Sequence, residues 1–232
     1  MVTRNFDKNK YVVVGIITFL IFSLGLSLGI IVSNARISAT EEMSKLQELD
    51  FKELQFQYLF MSTLEKTNAN CNVLRIALDK SVSDLSKSLK QFSSYKEKST
   101  SGDSAEVQMV TRNYLLDNLN YWMFAKESKK TCKMDIVNIL YFHSENNCPR
   151  CSDQGVILTY YKQLLEDKLL IFPINVDLEE TDQIIKILRS RYNVTEYPSI
   201  VIEDQTYKGV IQKDELESLI CSNYRNNTFC RK

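Results

Sequence analysis

The sequence predicts an α/β domain with the element order βαβαββα around a central mixed sheet, preceded by an N-terminal transmembrane helix and an α-helical hairpin. Three observations carry that prediction. Residues 11–35 of the 232-residue chain contain no charge. Residues 38–130 contain no proline and place apolar side chains at three-, four- and seven-residue steps, the period of a helix. From Asp135 onward, short apolar runs rich in β-branched residues alternate with amphipathic ones, as strands between helices do. The expected boundaries are a tail at 1–10, a transmembrane helix at 11–35, a helical stalk at 36–132, the α/β domain at 133–221 and a C-terminal tail at 222–232.

Composition removes several classes of function. The 29 basic and 29 acidic residues balance, so no electrostatic field points to nucleic acid as a partner. His143 is the sole histidine, too few for most catalytic zinc sites, and no metal is expected. No glycine-rich phosphate-binding pattern occurs, and no cofactor is expected. Six cysteines are left as the carriers of chemistry.

The first element is the stretch 11–32, YVVVGIITFLIFSLGLSLGIIV. About 20 apolar residues span a bilayer core as a helix, and this run supplies them. A cleaved signal peptide has a shorter apolar core of roughly 7–15 residues, so length favours a retained anchor, although Ser33-Asn34-Ala35 and Ile37-Ser38-Ala39 offer small residues near a cleavage point. Arg4, Lys8 and Lys10 precede the span, whereas Arg36 and Lys45 follow it among Glu41 and Glu42. That bias places the N-terminus in the cytoplasm and the bulk of this single-pass protein outside it. Gly25 and Gly29 have the spacing that lets two helices approach closely, a weak signal for a homodimer through the span.

The stalk divides into three helical segments. Met43, Leu46, Leu49, Phe56, Phe60 and Leu64 share one face of a membrane-proximal helix, interrupted by Glu53. A second helix over about 71–95 carries Leu74, Leu78, Val82, Leu85 and Leu89. After a polar loop at 96–104 (KEKSTSGDS), a third over about 105–130 carries Val107, Val110, Tyr114, Leu115, Leu119 and Trp122, with Asn118 as a polar exception. The second and third helices are each about 36–39 Å long and antiparallel across a short loop. Cys71 at the start of one therefore lies beside Cys132 just past the end of the other, and a disulfide there would staple the open end of the hairpin; two buried free thiols are the alternative.

In the last third, 135–143 (DIVNILYFH) reads as a strand, 152–167 as a helix with Val156, Ile157, Tyr160, Leu164 and Leu165 on one side, and 169–176 (LLIFPINV) as a second buried strand. A helix follows at 181–191. Residues 199–203 and 207–210 form a hairpin across Asp204-Gln205-Thr206, and 213–220 closes the domain as a helix.

Cys148-Pro149-Arg150-Cys151 sits between the first strand and its helix. A helix N-terminus favours a thiolate at Cys148, and Arg150 adds positive charge. Pro149 suits the first helical position, because its missing N–H would be unpaired there anyway. Cys151, three residues on, shares the helical face and can reach Cys148. On this reading Cys148 is the nucleophile that forms a mixed disulfide and Cys151 resolves it. A zinc knuckle would need two more ligands, which Cys221 and Cys230, nine residues apart, do not supply at the usual spacing. A permanent structural disulfide in a redox-inactive interaction or scaffold protein is the rival from another class.

The element order, the Cys-x-x-Cys after the first strand and Pro198, 47 positions after Cys151, together resemble the thioredoxin superfamily over about residues 135–220. The resemblance implies a membrane-anchored thiol–disulfide oxidoreductase that acts on cysteine-containing client proteins outside the cytoplasm and depends on a recycling partner. It implies a cis bond at Tyr197-Pro198 and a client chain held by the backbone at Tyr197. Departures from the family stand out. Asn147 replaces the tryptophan before the pair, and Phe142 occupies the place of a buried aspartate that aids proton transfer, with Glu145 or a water as conceivable substitutes. The Cys-Pro-x-Cys arrangement is closer to glutaredoxins and periplasmic disulfide-generating proteins, although no glutathione site is legible. A stabilised Cys148 thiolate favours the reduced pair, which tilts the expected direction towards oxidase or isomerase work. Cys221 and Cys230 bracket the C-terminal SNYRNNTF and would pin that tail to the last helix as a third disulfide. Three pairs suit an oxidising compartment. Asn193-Val194-Thr195 and Asn226-Asn227-Thr228 match the glycosylation pattern.

Overall fold

The computed structural model describes residues 12–30, 52, 55, 71–98, 105–225 and 229–230. Met1–Leu64 and Glu65–Lys232 form separate compact units. In the first, helix α1 (Val12–Ile30) has 19 residues and is long and apolar enough to cross a membrane. The charges flanking it, the expected helix at 43–64 apart from residues 52 and 55, the loop residues 99–104 and the second glycosylation pattern lie outside the described residues.

The second unit begins with helices α2 (Cys71–Lys98) and α3 (Ala105–Cys132) and continues through β1 (Val137–His143), α4 (Cys151–Leu165), β2 (Leu169–Asn175), α5 (Gln183–Arg191), β3 (Ser199–Ile202), β4 (Gln205–Lys208) and α6 (Lys213–Ser222). Strand β1 occupies an inner place because it is apolar on both faces, with every residue but His143 buried. It pairs parallel with β2, Val137 opposite Leu169 through His143 opposite Asn175, and antiparallel with β3. β3 in turn pairs antiparallel with β4, giving a four-stranded mixed sheet in the order β2-β1-β3-β4. Such a sheet with helices on its faces is compatible with a thioredoxin-like fold. The hairpin turn is the two residues Glu203 and Asp204, one position earlier and one residue shorter than expected, so β4 starts two positions earlier, with Glu203 at a φ of 56°.

Alternation along β1 divides the core. Val137, Ile139 and Tyr141 face Leu158, Tyr161 and Leu165 of α4 and Leu216 and Ile220 of α6. Leu140 and Phe142 face Leu115, Leu119, Trp122 and Ala125 of α3. The sequence reading separates a stalk at 36–132 from a domain at 133–221, whereas α3 supplies one wall of the sheet's own core. An α/β sheet apolar on both sides needs a cover on both, and α3 is the cover that α5 (9 residues) is too short to provide alone. Asn118, the polar exception, is buried and donates from Nδ2 to the Pro173 carbonyl at 3.0 Å, which ties α3 to edge strand β2.

Two helix faces differ from expectation. The buried stripe of α4 is Cys151, Gln154, Leu158, Tyr161 and Leu165, while Val156, Tyr160 and Leu164 are exposed. Aromatic and aliphatic residues on adjacent positions made two stripes equally apolar, and Tyr161 decided between them because its hydroxyl reaches the Lys213 carbonyl at 2.9 Å. On α2, Val82 and Leu89 are exposed, and Ser81 and Ser88 are buried in their place. Each serine hydroxyl is satisfied within the helix by the carbonyl three residues back, so small polar residues can line the close approach of α2 to α3.

Lys126 of α3 locks this layer to the hairpin turn. Its Nζ lies 2.6 Å from Asp204 Oδ1 and 3.2 Å from the Tyr192 hydroxyl. Burial alone would lower the Lys126 pKa, but the bonds to Asp204 and Tyr192 outweigh it and raise it, while the bond from Lys126 holds Asp204 below the usual carboxylate range. Lys126→Met is expected to cost under about 1 kcal/mol at neutral pH, since the pair is partly exposed and screened. The Asp204 contribution is present above the unfolded aspartate pKa of about 3.9 and lost as pH falls through the lower folded value. The Lys126 contribution is present below about 10.4 and lost as pH rises through the raised value. Urea denaturation across pH should therefore show the variant and parent converging at both extremes.

Candidate functional site

The carboxyl end of β1 delivers the chain to the cysteine pair through residues 144–147. One side chain organises this loop. Asp177, just after β2, accepts from the Ser144 hydroxyl at 2.6 Å and from the amides of Glu145 at 2.8 Å and Asn146 at 3.2 Å. The Ser144 hydroxyl oxygen accepts from the amide of Asn147 at 2.8 Å. Asp177 is itself placed by its amide, which donates to Asn175 Oδ1 at 3.0 Å. Backbone donors that no sheet can satisfy are thus collected by one carboxylate, and Cys148 emerges from a fixed turn. Asp177 and Ser144 escaped the sequence reading, although Asn175-Val176-Asp177 at a strand end carries the side-chain pattern of an Asx turn. Asp177→Ala is expected to slow disulfide exchange at Cys148 several-fold and to speed amide exchange at 145–147, as three bonds to the loop are lost. Hydrogen exchange read by mass spectrometry checks this.

Cys148 and Cys151 are joined as a disulfide with Cα atoms 5.4 Å apart. Cys148 is half-buried, while Cys151 is 7% exposed. Helix α4 begins at Cys151, one residue before the expected start, and Pro149 is not its first residue as expected: Pro149 and Arg150 form the turn that leads into it. The Cys148 carbonyl accepts from the Cys151 amide at 3.2 Å, which keeps the turn closed. Arg150 is exposed and lies 3.7 Å from Asp153 Oδ2, so part of its charge is offset by an acidic residue in the first helical turn.

Beneath the pair lies Tyr141, whose hydroxyl donates to the Cys151 carbonyl. Burial pushes the Tyr141 pKa up to about 12, so its proton stays on. The His143 ring stacks on Tyr141 at 5.2 Å, and burial lowers the histidine pKa against the opposing pull of Glu145 and Asp177. Phe142 points away from the cysteines into the α3 side of the core. Glu145 does not reach in to replace an aspartate there, because its carboxylate meets Lys96 of α2 at 3.0 Å at the surface.

The Tyr197–Pro198 bond is cis. Pairing of Phe142 with Ser199 puts it at the same end of the sheet as the cysteine loop. Gly209, at a φ of 77°, donates its amide to the Pro198 carbonyl at 2.8 Å, so a third loop closes on this end. The Arg189 guanidinium sits 5.4 Å from the Tyr197 ring centre and is ion-paired with Glu179. Tyr197 and Cys148 both pack, half-buried, against the α4 side of the core.

The remaining cysteines lie elsewhere. Cys71 and Cys132 are joined across the open end of the α2–α3 hairpin, Cα atoms 5.5 Å apart, opposite to the end that carries Lys96. Cys221 and Cys230 are joined at the C-terminus, Cα atoms 5.4 Å apart, and Phe229 meets Tyr161 edge-on at 6.5 Å. Among the described residues no group of histidine, cysteine, aspartate or glutamate could hold a metal ion.

No protein-family model matches the chain. No curated protein matches it either. Among solved structures, it is similar to a malarial protein at 17% identity and a TM-score of 0.32, over 38% of this chain and 97% of that one. It is similar to chloroplastic thioredoxin z at 18% identity and a TM-score of 0.32, over 40% and 81%. The thioredoxin of Malassezia sympodialis gives 19% identity and a TM-score of 0.30, over 42% and 83%.

Proposed function

We propose that this chain is a membrane-tethered thiol–disulfide oxidoreductase acting on extracytoplasmic proteins, with Cys148 as nucleophile and Cys151 as resolving cysteine. The observation that carries the reading is the asymmetry of the pair: a half-buried outer Cys148 in a turn held by Asp177, bonded to a buried Cys151 on the first turn of α4. Thiol–disulfide exchange needs one sulfur open to attack and a second kept for the return step. Half-buried Tyr197 beside cis-Pro198 offers backbone at the same end of the sheet, where a client strand would lie. Two further disulfides away from the site favour an oxidising compartment, and α1 supports the tether. We assign oxidation or isomerisation over reduction, because the start of α4 favours the Cys148 thiolate and hence the reduced pair.

The test is a trap. Cys151→Ser should accumulate mixed disulfides between Cys148 and client proteins, resolved on non-reducing gels and lost on reduction. An empty trap, together with a reduction potential below about −300 mV, would identify a structural bond and the redox-silent scaffold. Labelling of reduced cysteines from outside intact cells tests the side of the membrane, and protection of Cys148 would reverse the orientation.

A further inference from the structure

Gln154 is fully buried on the face of α4 that also carries Cys151, three residues earlier. Its Oε1 accepts from the amide of Ile211 at 2.7 Å, in the loop between β4 and α6. That bond decides which way the side-chain amide faces. Its Nε2 has no hydrogen-bond partner, one of four such buried side-chain atoms among the described residues. The other three belong to Ser128 in α3 and Asn138, at the end of β1 away from the cysteines, so Gln154 alone stands in the layer that packs Cys151. Side chains of a helix lean toward its N-terminus and cover the residue three or four positions back, which for Gln154 is Cys151. A buried donor left unmade is costly, and one on the same helix face as a redox cysteine calls for an account in terms of the other redox state.

We propose that Gln154 Nε2 donates to the Cys151 sulfur when the Cys148–Cys151 bond opens, and so stabilises the reduced pair. A disulfide sulfur is a poor acceptor, whereas a thiolate is a charged one. A client thiolate attacks the Cys148 sulfur and forms a bond to it. The Cys148–Cys151 bond breaks, and its electron pair leaves on Cys151 as a thiolate, to which the waiting N–H donates. A second client thiol, losing its proton to water, displaces Cys148 from the mixed disulfide. The client has then lost two electrons and two protons, and the cysteine pair has gained two electrons and takes one proton from water, which leaves one thiolate for the two sulfurs, met at Cys151 by the Gln154 amide; the other proton stays in water. The donor is orphaned in the disulfide form and satisfied in the reduced one, so it makes the disulfide the stronger oxidant.

This inference rests on the exchange activity proposed above, but its test needs no client. The full chain in detergent micelles is equilibrated with glutathione redox buffers, or with dithiothreitol if glutathione does not reduce it, and the equilibrium constant for reduction is read by alkylation and mass spectrometry. Gln154→Met keeps the volume and removes the donor. It should lower that constant about 10- to 150-fold, the size of one unmade bond to a charged group. Gln154→Glu keeps an acceptor for Ile211 and should lower it as well. The Ile211 bond involves neither sulfur, so its loss should weaken both redox forms alike, cancel in this ratio and appear only as an equal loss of stability in both. Constants within twofold of the parent for both variants would overturn the proposal and leave Gln154 as a tether for the Ile211 loop. Failure of the Cys151→Ser trap with an intact Gln154 effect would sink the client reading alone.

Discussion

Replacing Cys148 by serine is expected to abolish disulfide exchange, by at least ~10³-fold, the order of loss when a covalent nucleophile is removed. Serine is close in size to cysteine, but its oxygen forms no reversible bond to a client sulfur. The deeper Cys151 cannot take over, because it is 7% exposed beneath the turn that Cys148 occupies. The fold should survive, since the Cys148–Cys151 bond closes a loop of only three residues' separation and constrains the unfolded chain little. Oxidation of a fluorescent dithiol peptide, followed alongside circular dichroism, separates lost chemistry from lost structure. Exchange that persists in the serine variant would place the chemistry elsewhere in the chain.

Loss of the Cys71–Cys132 bond should have the largest effect on stability. The two cysteines are 61 residues apart, and opening a loop of that length costs about 4 kcal/mol in chain entropy. A domain stable by roughly 5–15 kcal/mol loses a large part of its margin by that change. The consequence should be uneven. α3 is held to the sheet by Leu115, Leu119 and Trp122, by Asn118 on the Pro173 carbonyl, and by Lys129 on Glu203 at 2.7 Å. α2 is held chiefly to α3, through Leu74, Leu78 and the stacked Phe92–Tyr114 pair, whose ring centres are 5.0 Å apart. The double variant Cys71→Ser with Cys132→Ser should therefore lower the urea midpoint markedly and raise amide exchange along α2 before α3. A loss under about 1 kcal/mol would mean that side-chain packing, not the cross-link, closes the hairpin.

Much of the fold was legible because its signals are local. A run of 22 uncharged, mostly apolar positions near the N-terminus marks a helix long enough to cross a membrane, and the alternation of apolar runs after Asp135 follows from how strands and helices bury one face each. The cysteine pair was legible because a Cys-x-x-Cys between strand and helix occupies a defined structural place. The rest was hidden where two local patterns were equally good. Tyr160 and Tyr161 are neighbours of the same type, yet one is exposed under Lys213 and the other fully buried. Ser81 and Ser88 read as surface on α2, because only contact with α3 makes a small side chain the better choice there. The hairpin turn was expected at Asp204-Gln205-Thr206, but Glu203-Asp204 carries no glycine to fix its exact place.

By itself, the sequence determined the apolar helix at the N-terminus, the existence and order of the sheet elements, and the pair of cysteines between β1 and α4. Each depends on residues close in the chain, where spacing alone dictates which side chains share a face. Only the tertiary structure decided that the α2–α3 hairpin belongs to the sheet's core, because the apolar face of α3 is matched by β1 side chains that lie far along the chain. It also decided the surroundings of Cys148 and Cys151. Asp177 reaches the loop from 32 residues beyond Glu145, and Gln154 is turned by Ile211 from 57 residues away. Hydrogen-bonding partners of a buried site come from whatever the fold brings near, and no local pattern in the chain announces them.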